Sequence, residues 1–504
     1  MSRVVSELDR LRTSARRHPD AVAVAWNGRE YTFAELDRLA DDIAELLPAT
    51  PQRVGIALRN GPAWIPLLMA VWSRGGGAVL FAASLPEATL AQRAQREGVG
   101  VLVVDRPRAE ALAGRGSWRT LGVAGAEVTV VSEGTPATAA AAEPAPGVVL
   151  FTSGTTGEPK PVRLPAGVLL GIIDRIIGHL TAGSRATGTA GAGTGGSDAA
   201  PSAGPLKGCY LVAFPLYHVS GLYLTLLALA RCVPAVTLEK FSTEAFLDSL
   251  EQWPINQVVL NPTMFGALLE STDPRTDRVM KQLRFIRNGT APLPADLREA
   301  FTARFGVPIL QGYGSTETGG EVIGWTVPDF TEFGATHTAS VGRASPGVSI
   351  RVVDEDGAEL PRGQIGRVTI HVPWLSEQYR DIGDLGHLDE HGFLFLAGRA
   401  DDVINRGGFM IHPLEVEEAL RRCAGVLDCA VVGEPDPRLG EVPVAYVVAG
   451  AGGVDPDGLR RALHDRLPPY QCPRAIHLVE QLPRNDLGKL LRGEVRASGA
   501  GAAS

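Results

Sequence analysis

Two hydrophobic periods alternate along the chain. Over Tyr31 to Leu47 the apolar residues Leu36, Leu39, Ile43, Leu46 and Leu47 recur at helical spacing, which predicts an amphipathic helix. The β-branched runs Asp20–Trp26, Val54–Leu58 and Val101–Val104 predict strands. Such alternation continues over most of the length and reads as α/β architecture. Beyond about residue 400 the pattern changes. Pro413-Leu-Glu-Val-Glu-Glu-Ala-Leu-Arg-Arg places proline at a helix start, acids in the first turn and arginines at the end, in keeping with the helix dipole. Strand runs at Val426–Val432 and Val442–Val448, a helix over Asp457–Leu467 and a strand at Ile476–Val479 complete a compact α+β unit.

The boundary is placed near Gly398-Arg399-Ala400-Asp401-Asp402, giving a large N-terminal domain over 1–400 and a small one over 401–504. The Ala/Pro/Thr-rich stretch 133–147 reads as a linker. Residues 183–204, almost all small, have too little apolar surface to order themselves and read as a disordered surface loop. No internal repeat is visible.

Composition narrows the picture. A chain of 504 residues, 45% hydrophobic and 21% charged, can bury a large core in two or more domains. A formal net charge of −8 excludes a nucleic-acid-coating protein, although local donors can still hold an anionic ligand. Five cysteines without a CxxC pair argue against a disulfide framework or zinc site and fit a reducing cytoplasm. The N-terminus lacks an apolar signal core, and the longest apolar stretches are too short for a membrane span. Only Lys160, Lys207, Lys240, Lys281 and Lys489 interrupt an otherwise arginine-based set of 48 basic residues.

The clearest chemical signal is Phe151-Thr-Ser-Gly-Thr-Thr-Gly-Glu-Pro-Lys160. An apolar run leads into hydroxyls, glycines and a lysine. Glycines let the backbone approach an anion, hydroxyls and amides donate to phosphate oxygens, and the lysine adds charge. The spacing is not that of a Walker A loop.

This segment resembles the hallmark loop of the adenylate-forming superfamily, which includes acyl-CoA synthetases, peptide-synthetase adenylation domains and luciferases. Further elements follow in family order: Tyr31-Thr-Phe-Ala-Glu-Leu36, Tyr313-Gly-Ser-Thr-Glu317, Ile382-Gly-Asp384-Leu, Gly398-Arg399-Ala-Asp401-Asp402 and Pro483-Arg-Asn-Asp-Leu-Gly488-Lys489. The resemblance spans essentially the whole chain. It implies a large N-terminal domain of layered sheets and helices, with a small mobile C-terminal domain turning about Asp401. It also implies activation of a carboxylic acid by ATP to acyl-AMP and pyrophosphate, followed by transfer to the thiol of CoA or of a carrier protein's phosphopantetheine.

The same resemblance assigns roles. Thr152, Ser153, Gly154, Thr155, Thr156, Gly157 and Lys160 would hold the β- and γ-phosphates. Thr316 would contact the α-phosphate, and Glu317 would hold Mg²⁺, a hard cation suited to oxygen ligands. Tyr313 would stack on adenine opposite Gly289, Thr290 and Ala291. Asp384 would accept from the ribose hydroxyls and Arg399 would contact sugar and phosphate. Lys489 would bridge the acid's carboxylate and the α-phosphate, where aimed cations count most. Gly408 would line the pantetheine tunnel after the small domain turns.

Pro215-Leu-Tyr-His218-Val-Ser-Gly221 bears on the substrate, with His218 flanking its carboxylate. No acidic residue lies between Cys209 and Val236, so an α-ammonium would be buried without a counter-charge. The implied pocket segments, Tyr217–Leu226, Asn261–Phe265, Asn288–Thr290 and Thr318–Val322, are largely apolar and favour a hydrophobic acid.

The sequence departs from the family pattern at Pro161, at Ile382, in the short stretch from Tyr379 to Asp384, and at Phe409-Met410 after the glycines. The last pair either packs or narrows the thiol path. Two alternatives to an acid–CoA ligase stay open: a stand-alone adenylating enzyme that serves a carrier or partner, and a non-catalytic binding relative.

Overall fold

The computed structural model describes residues 12–13, 16–50, 52–134, 147–152, 160–175, 208–450, 452–485 and 488–502, the last five as backbone only. The chain forms two compact units. One comprises 1–152, 159–258 and 273–284; the other comprises 153–158, 259–272 and 285–504. Ser153, Gly154, Thr155, Thr156 and Gly157 lie outside the described residues, as do the stretch 183–204 and most of 133–147.

The first unit holds a seven-stranded sheet. Arg53–Ala57, Gly77–Leu80, Val99–Asp105, Arg119–Ala124 and Val148–Phe151 run parallel, and Glu127–Ser132 and Pro161–Leu164 close its edges antiparallel. The helices Glu87–Arg96 and Arg106–Leu112 cover it over a core that includes Phe81, Leu90, Leu102 and Trp118. A second, four-stranded sheet contains the hairpin Val22–Trp26/Arg29–Thr32. Asn27 and Gly28 both take left-handed φ, 46° and 75°, the conformation of a tight hairpin turn. That hairpin claims Tyr31, so the predicted helix opens later, at Phe33, with Thr32 and Glu35 in a reciprocal capping box.

The second unit contains three sheets. Phe285–Asn288, Ile309–Ser315, Gly320–Gly324 and Arg343–Ala344 lie side by side in the first, and Ser349–Val353, Gly366–His371, Arg380–Leu388 and Leu394–Arg399 form an antiparallel meander. The third carries the long hairpin Val426–Asp436/Gly440–Ala449, flanked by Ile404–Arg406, Phe409–Ile411 and Ala475–Val479. Helices Pro413–Arg421 and Pro456–His464 pack on it around Leu420, Cys429, Val447 and Leu463. The terminal α+β pattern is therefore realised, with strands longer than their apolar runs. This mixed α/β arrangement agrees with the predicted class.

Candidate active site

The Ile309–Ser315/Gly320–Gly324 hairpin is closed by Thr318. Its hydroxyl accepts from the Ser315 amide (2.7 Å) and lies 2.9 Å from the Gly320 carbonyl. Left-handed Gly319 and Gly320 complete the reversal, leaving Thr316 and Glu317 half-buried in the turn. On the strand before it, the Tyr313 hydroxyl donates to Asp384. Asp384 pairs in register with Arg399 across the meander. The Arg399 guanidinium donates to the Ile382 carbonyl (2.8 Å) and to Asp384 Oδ1 (3.2 Å). Gly383 makes room for it: φ is 78°, and a Cβ there would lie 2.8 Å from Arg399 Nη2. Burial raises the Asp384 carboxyl above its ordinary range, while Tyr313, Arg399 and Lys489 pull the other way. Burial also raises the Tyr313 phenol, and the Asp384 charge adds to it.

Lys489 reaches this cluster from a turn at the far end of the chain. The Asn485 side chain accepts from the Lys489 amide (2.9 Å), and the Gly488 amide donates to the Asn485 carbonyl (2.8 Å). Gly488 is left-handed, φ 77°, and is pressed against the start of helix Pro262–Leu269; a Cβ there would meet Thr263 Oγ1 at 2.4 Å. The Lys489 ammonium is half-buried, and burial lowers its pKa from the ordinary lysine value. Arg399 acts in the same direction, whereas Asp384, Asp402 and Glu317 favour the charged form. Tyr313, Glu317, Asp384, Arg399 and Lys489, widely spaced in sequence, thus share one electrostatic neighbourhood.

The segment Asn288–Ala291 is conformationally costly. Thr290, β-branched, sits at φ 72°, a region that L side chains avoid. Asn288 Nδ2 donates to the Ala291 carbonyl (3.1 Å), but Asn288 Oδ1 and Thr290 Oγ1 are enclosed without a protein partner. Two orphaned acceptors beside strained backbone suit a ligand that brings its own donors, as an adenine amino group or ribose hydroxyl does. Asp384 is a further acceptor for a sugar. The residues present therefore fit ATP. Glu317 offers one carboxylate, and among the described residues no group of three His, Cys, Asp or Glu could cage a metal. A Mg²⁺ ion held there would draw its other ligands from phosphates and water.

In the first unit, Thr152 and Lys160 extend the pairing of Val148–Phe151 with Pro161–Leu164 by one residue each. The Thr152 amide donates to the Lys160 carbonyl (3.0 Å), and the Lys160 amide donates to Thr152 Oγ1 (3.2 Å). The Lys160 side chain is exposed. His218 is the N-cap of helix Val219–Ala230, its amide donating to the Pro215 carbonyl (3.0 Å) and its ring 4.8 Å from that of Tyr217. Gly221 is needed there, because a Cβ would lie 2.4 Å from the Pro215 carbonyl oxygen.

Gly408 occupies an exposed turn between Ile404–Arg406 and Phe409–Ile411, its amide bound to Asn405 Oδ1 (2.9 Å). Phe409 and Met410 are 58% and 55% exposed; Phe409 stacks on Tyr470 at 4.8 Å. Asp401 is exposed in the short 3₁₀ turn Ala400–Asp402, while Asp402 pairs with Arg492 (3.2 Å).

Sequence reading missed this last pair, and it missed an ion pair between Arg287 and Glu321 (2.8 Å). The segment around Glu321 had read as apolar lining. Nothing in one-dimensional spacing links positions that far apart, and only the sheet brings them together.

Comparison with known proteins follows the same lines. Residues 11–380 match the family model described as AMP-binding enzyme, and residues 415–489 match the AMP-binding enzyme C-terminal domain. A feruloyl-CoA synthase from Amycolatopsis sp is 30% identical over 506 residues, covering 96% of each chain. An indoleacetate–CoA ligase from Aromatoleum aromaticum is 32% identical over 372 residues, 70% of this chain and 67% of the relative. Among solved structures, o-succinylbenzoate CoA synthetase from Bacillus subtilis, in complex with its acyl-adenylate intermediate, superposes with a TM-score of 0.77 at 25% identity over 97% of both chains. An amide bond synthetase from Marinactinospora thermotolerans superposes with a TM-score of 0.79 at 25% identity, over 98% of this chain and 99% of that one.

Proposed function

Because the chain belongs to the AMP-binding enzyme family, we propose that it activates a carboxylic acid with ATP and Mg²⁺ and transfers the acyl group to CoA, as an AMP-forming acid–thiol ligase. The observation that carries the reading is Lys489, held half-buried among Asp384, Arg399 and Glu317 by the turn on Thr263. A cation in that position meets the charge that develops when a carboxylate attacks the α-phosphorus.

The chain's own residues divide the work as follows. Tyr313, with Gly289, Thr290 and Ala291, brackets the base, and Asp384 and Arg399 orient the ribose. Thr152, Lys160 and the loop 153–157 take the β- and γ-phosphates, Thr316 the α-phosphate, and His218 flanks the acid carboxylate. Glu317 would hold Mg²⁺, which supplies charge neutralisation on the phosphates when bound. The acid lacks an α-amino group and is largely hydrophobic. For the second step, the segment from Asp401 onward turns, withdrawing Lys489 and bringing Gly408 to the thiol path; residues 1–400 and 401–504 are the bodies that move.

A cytoplasmic setting belongs to this proposal and fits the five unpaired cysteines. Among the described residues no helix is long and apolar enough to cross a membrane.

A second reading, delivery of acyl-AMP to an acceptor other than CoA, such as a carrier protein or an amine, has one observation in its favour: apolar Phe409 and Met410 are exposed beside Gly408. ATP–pyrophosphate exchange across aliphatic and aromatic acids, followed by mass-spectrometric assay of the thioester with CoA, separates the readings. Exchange with thioester supports the ligase, exchange without thioester supports the second reading, and no exchange with any acid refutes both.

A further inference from the structure

The Arg287–Glu321 pair lies where a β-bulge has turned a side chain over. Along the hairpin, Gly312 pairs with Gly324, Tyr313 with Ile323 and Gly314 with Glu321, so Val322 is the extra residue. Without it, alternation would put Glu321 on the same face as Ile323 and Tyr313. The bulge moves it to the opposite face, that of Gly312, Gly314 and Gly324. Three residues without side chains make a floor there, and the Glu321 carboxylate lies across it. A Cβ on Gly312 would meet Glu321 Oε2 at 2.4 Å, and one on Gly324 would meet Oε1 at 2.5 Å.

Arg287 comes from Phe285–Asn288, on the far side of strand Ile309–Ser315, and crosses the floor to bond Glu321. A side chain at 312 would block that carboxylate. The side chains of Glu321 and Arg287 keep 41% and 27% of their surface accessible. Partial burial raises the Glu321 carboxyl above its ordinary range, against the pull of Arg287. The pair thus lies over a floor of glycines and stays open to a ligand.

The glycine floor runs along the hairpin from the turn that carries Thr316. From the Ser315–Gly320 pair to the Gly312–Gly324 pair is three residue steps, roughly 10 Å at strand rise. Resting on the ligase reading, which puts the α-phosphate at Thr316 and therefore the attacking carboxylate next to it, we infer that Arg287 and Glu321 select an acid bearing a hydroxyl group at its far end, about 10 Å from the carboxylate. This is the reach of a medium acyl chain or of one aromatic ring on a short spacer. Glu321 retains acceptor capacity at Oε2 and Arg287 retains unused N–H donors, and a hydroxyl is the group that serves both. A second carboxylate on the substrate is disfavoured, because Glu321 already neutralises Arg287. A plain methyl terminus would take water from Oε2 of Glu321 and from the remaining N–H groups of Arg287 and offer them no hydrogen bond in return.

The test uses the full-length enzyme and two acid series, 8-hydroxyoctanoate, octanoate and octanedioate, and 3-(4-hydroxyphenyl)propanoate with its phenyl and 4-carboxyphenyl analogues. Acid-dependent pyrophosphate release gives kcat/KM for each in wild type, Glu321→Gln and Glu321→Ala, with melting temperature as the check on folding. In at least one series the wild type should favour the hydroxy acid over its deoxy analogue by about tenfold or more. Glu321→Gln, which frees the Arg287 charge, should shift preference toward the dicarboxylate by about tenfold, with KM for ATP unchanged. A wild type that favours the deoxy acids or dicarboxylates, or a ratio that neither variant moves, overturns the inference and leaves the ligase standing. Release with none of these acids while other acids are activated overturns the inference alone, and release with no acid of any class overturns both.

Discussion

Replacing Gly488 by alanine strikes the turn that delivers Lys489 while leaving every charged group of the site in place. Two costs follow from the geometry. The residue sits at φ 77°, where an L side chain costs about 1–2 kcal/mol. Its new Cβ would also fall 2.4 Å from Thr263 Oγ1 and 3.3 Å from Thr263 Cβ, so Thr263 must rotate or the turn must back away. The first cost alone corresponds to roughly 5–30-fold in the population of the observed turn. The collision adds to it only while the turn rests on the helix. Acid-dependent ATP–pyrophosphate exchange should therefore fall by at least about fivefold, whereas thioester formation from preformed acyl-AMP should change by less than about threefold. Thr263→Ala removes the colliding hydroxyl and should restore part of the loss in the double variant, leaving the backbone cost. Unchanged exchange in Gly488→Ala, or equal loss in both half-reactions, would refute the idea that this contact positions Lys489.

Three further outcomes are expected. Tyr313→Phe removes the hydroxyl that donates to Asp384 and should raise KM for ATP by about tenfold, the scale of one hydrogen bond to a charged acceptor, as measured by steady-state pyrophosphate release. Burial lowers the Lys489 pKa, so its charged form is lost as pH rises, at a lower pH than for an ordinary lysine; adenylation should fall along that alkaline limb. Asp402→Asn removes one carboxylate that favours the charged form and should move the limb to lower pH, whereas a shift upward contradicts the assignment. Glu417→Ala leaves Arg492 and Arg421 without a carboxylate that is 2% exposed and 3.0 Å from Arg492 Nη2; unfolding in denaturant should show a loss of about 3–5 kcal/mol.

Much of the fold was legible because its signals are local. The helix at Phe33–Leu46 follows from its apolar spacing, and Pro413–Arg421 from its proline, acids and arginines. The misplaced start at Tyr31 is instructive: Asn27-Gly28 makes a hairpin that the helical period overlooked. Tyr313, Glu317, Asp384, Arg399 and Lys489 were readable as motif members, and the fold brings them together. The dependencies between motifs were not readable. Gly383 clears space for Arg399, Gly488 rests on Thr263, and Asp402 is tied to Arg492; each joins residues by packing. Glu321 shows the limit most clearly, since its face depends on one bulged residue, Val322.

Lys489→Ala, assayed in the two half-reactions separately, tests the central claim most directly. Pyrophosphate exchange should drop by about 10²–10³-fold, while conversion of preformed acyl-AMP to thioester continues at close to the wild-type rate. Exchange at the wild-type rate in that variant would contradict the account, because the amine placed among Asp384, Arg399 and Glu317 would then have no part in the chemistry.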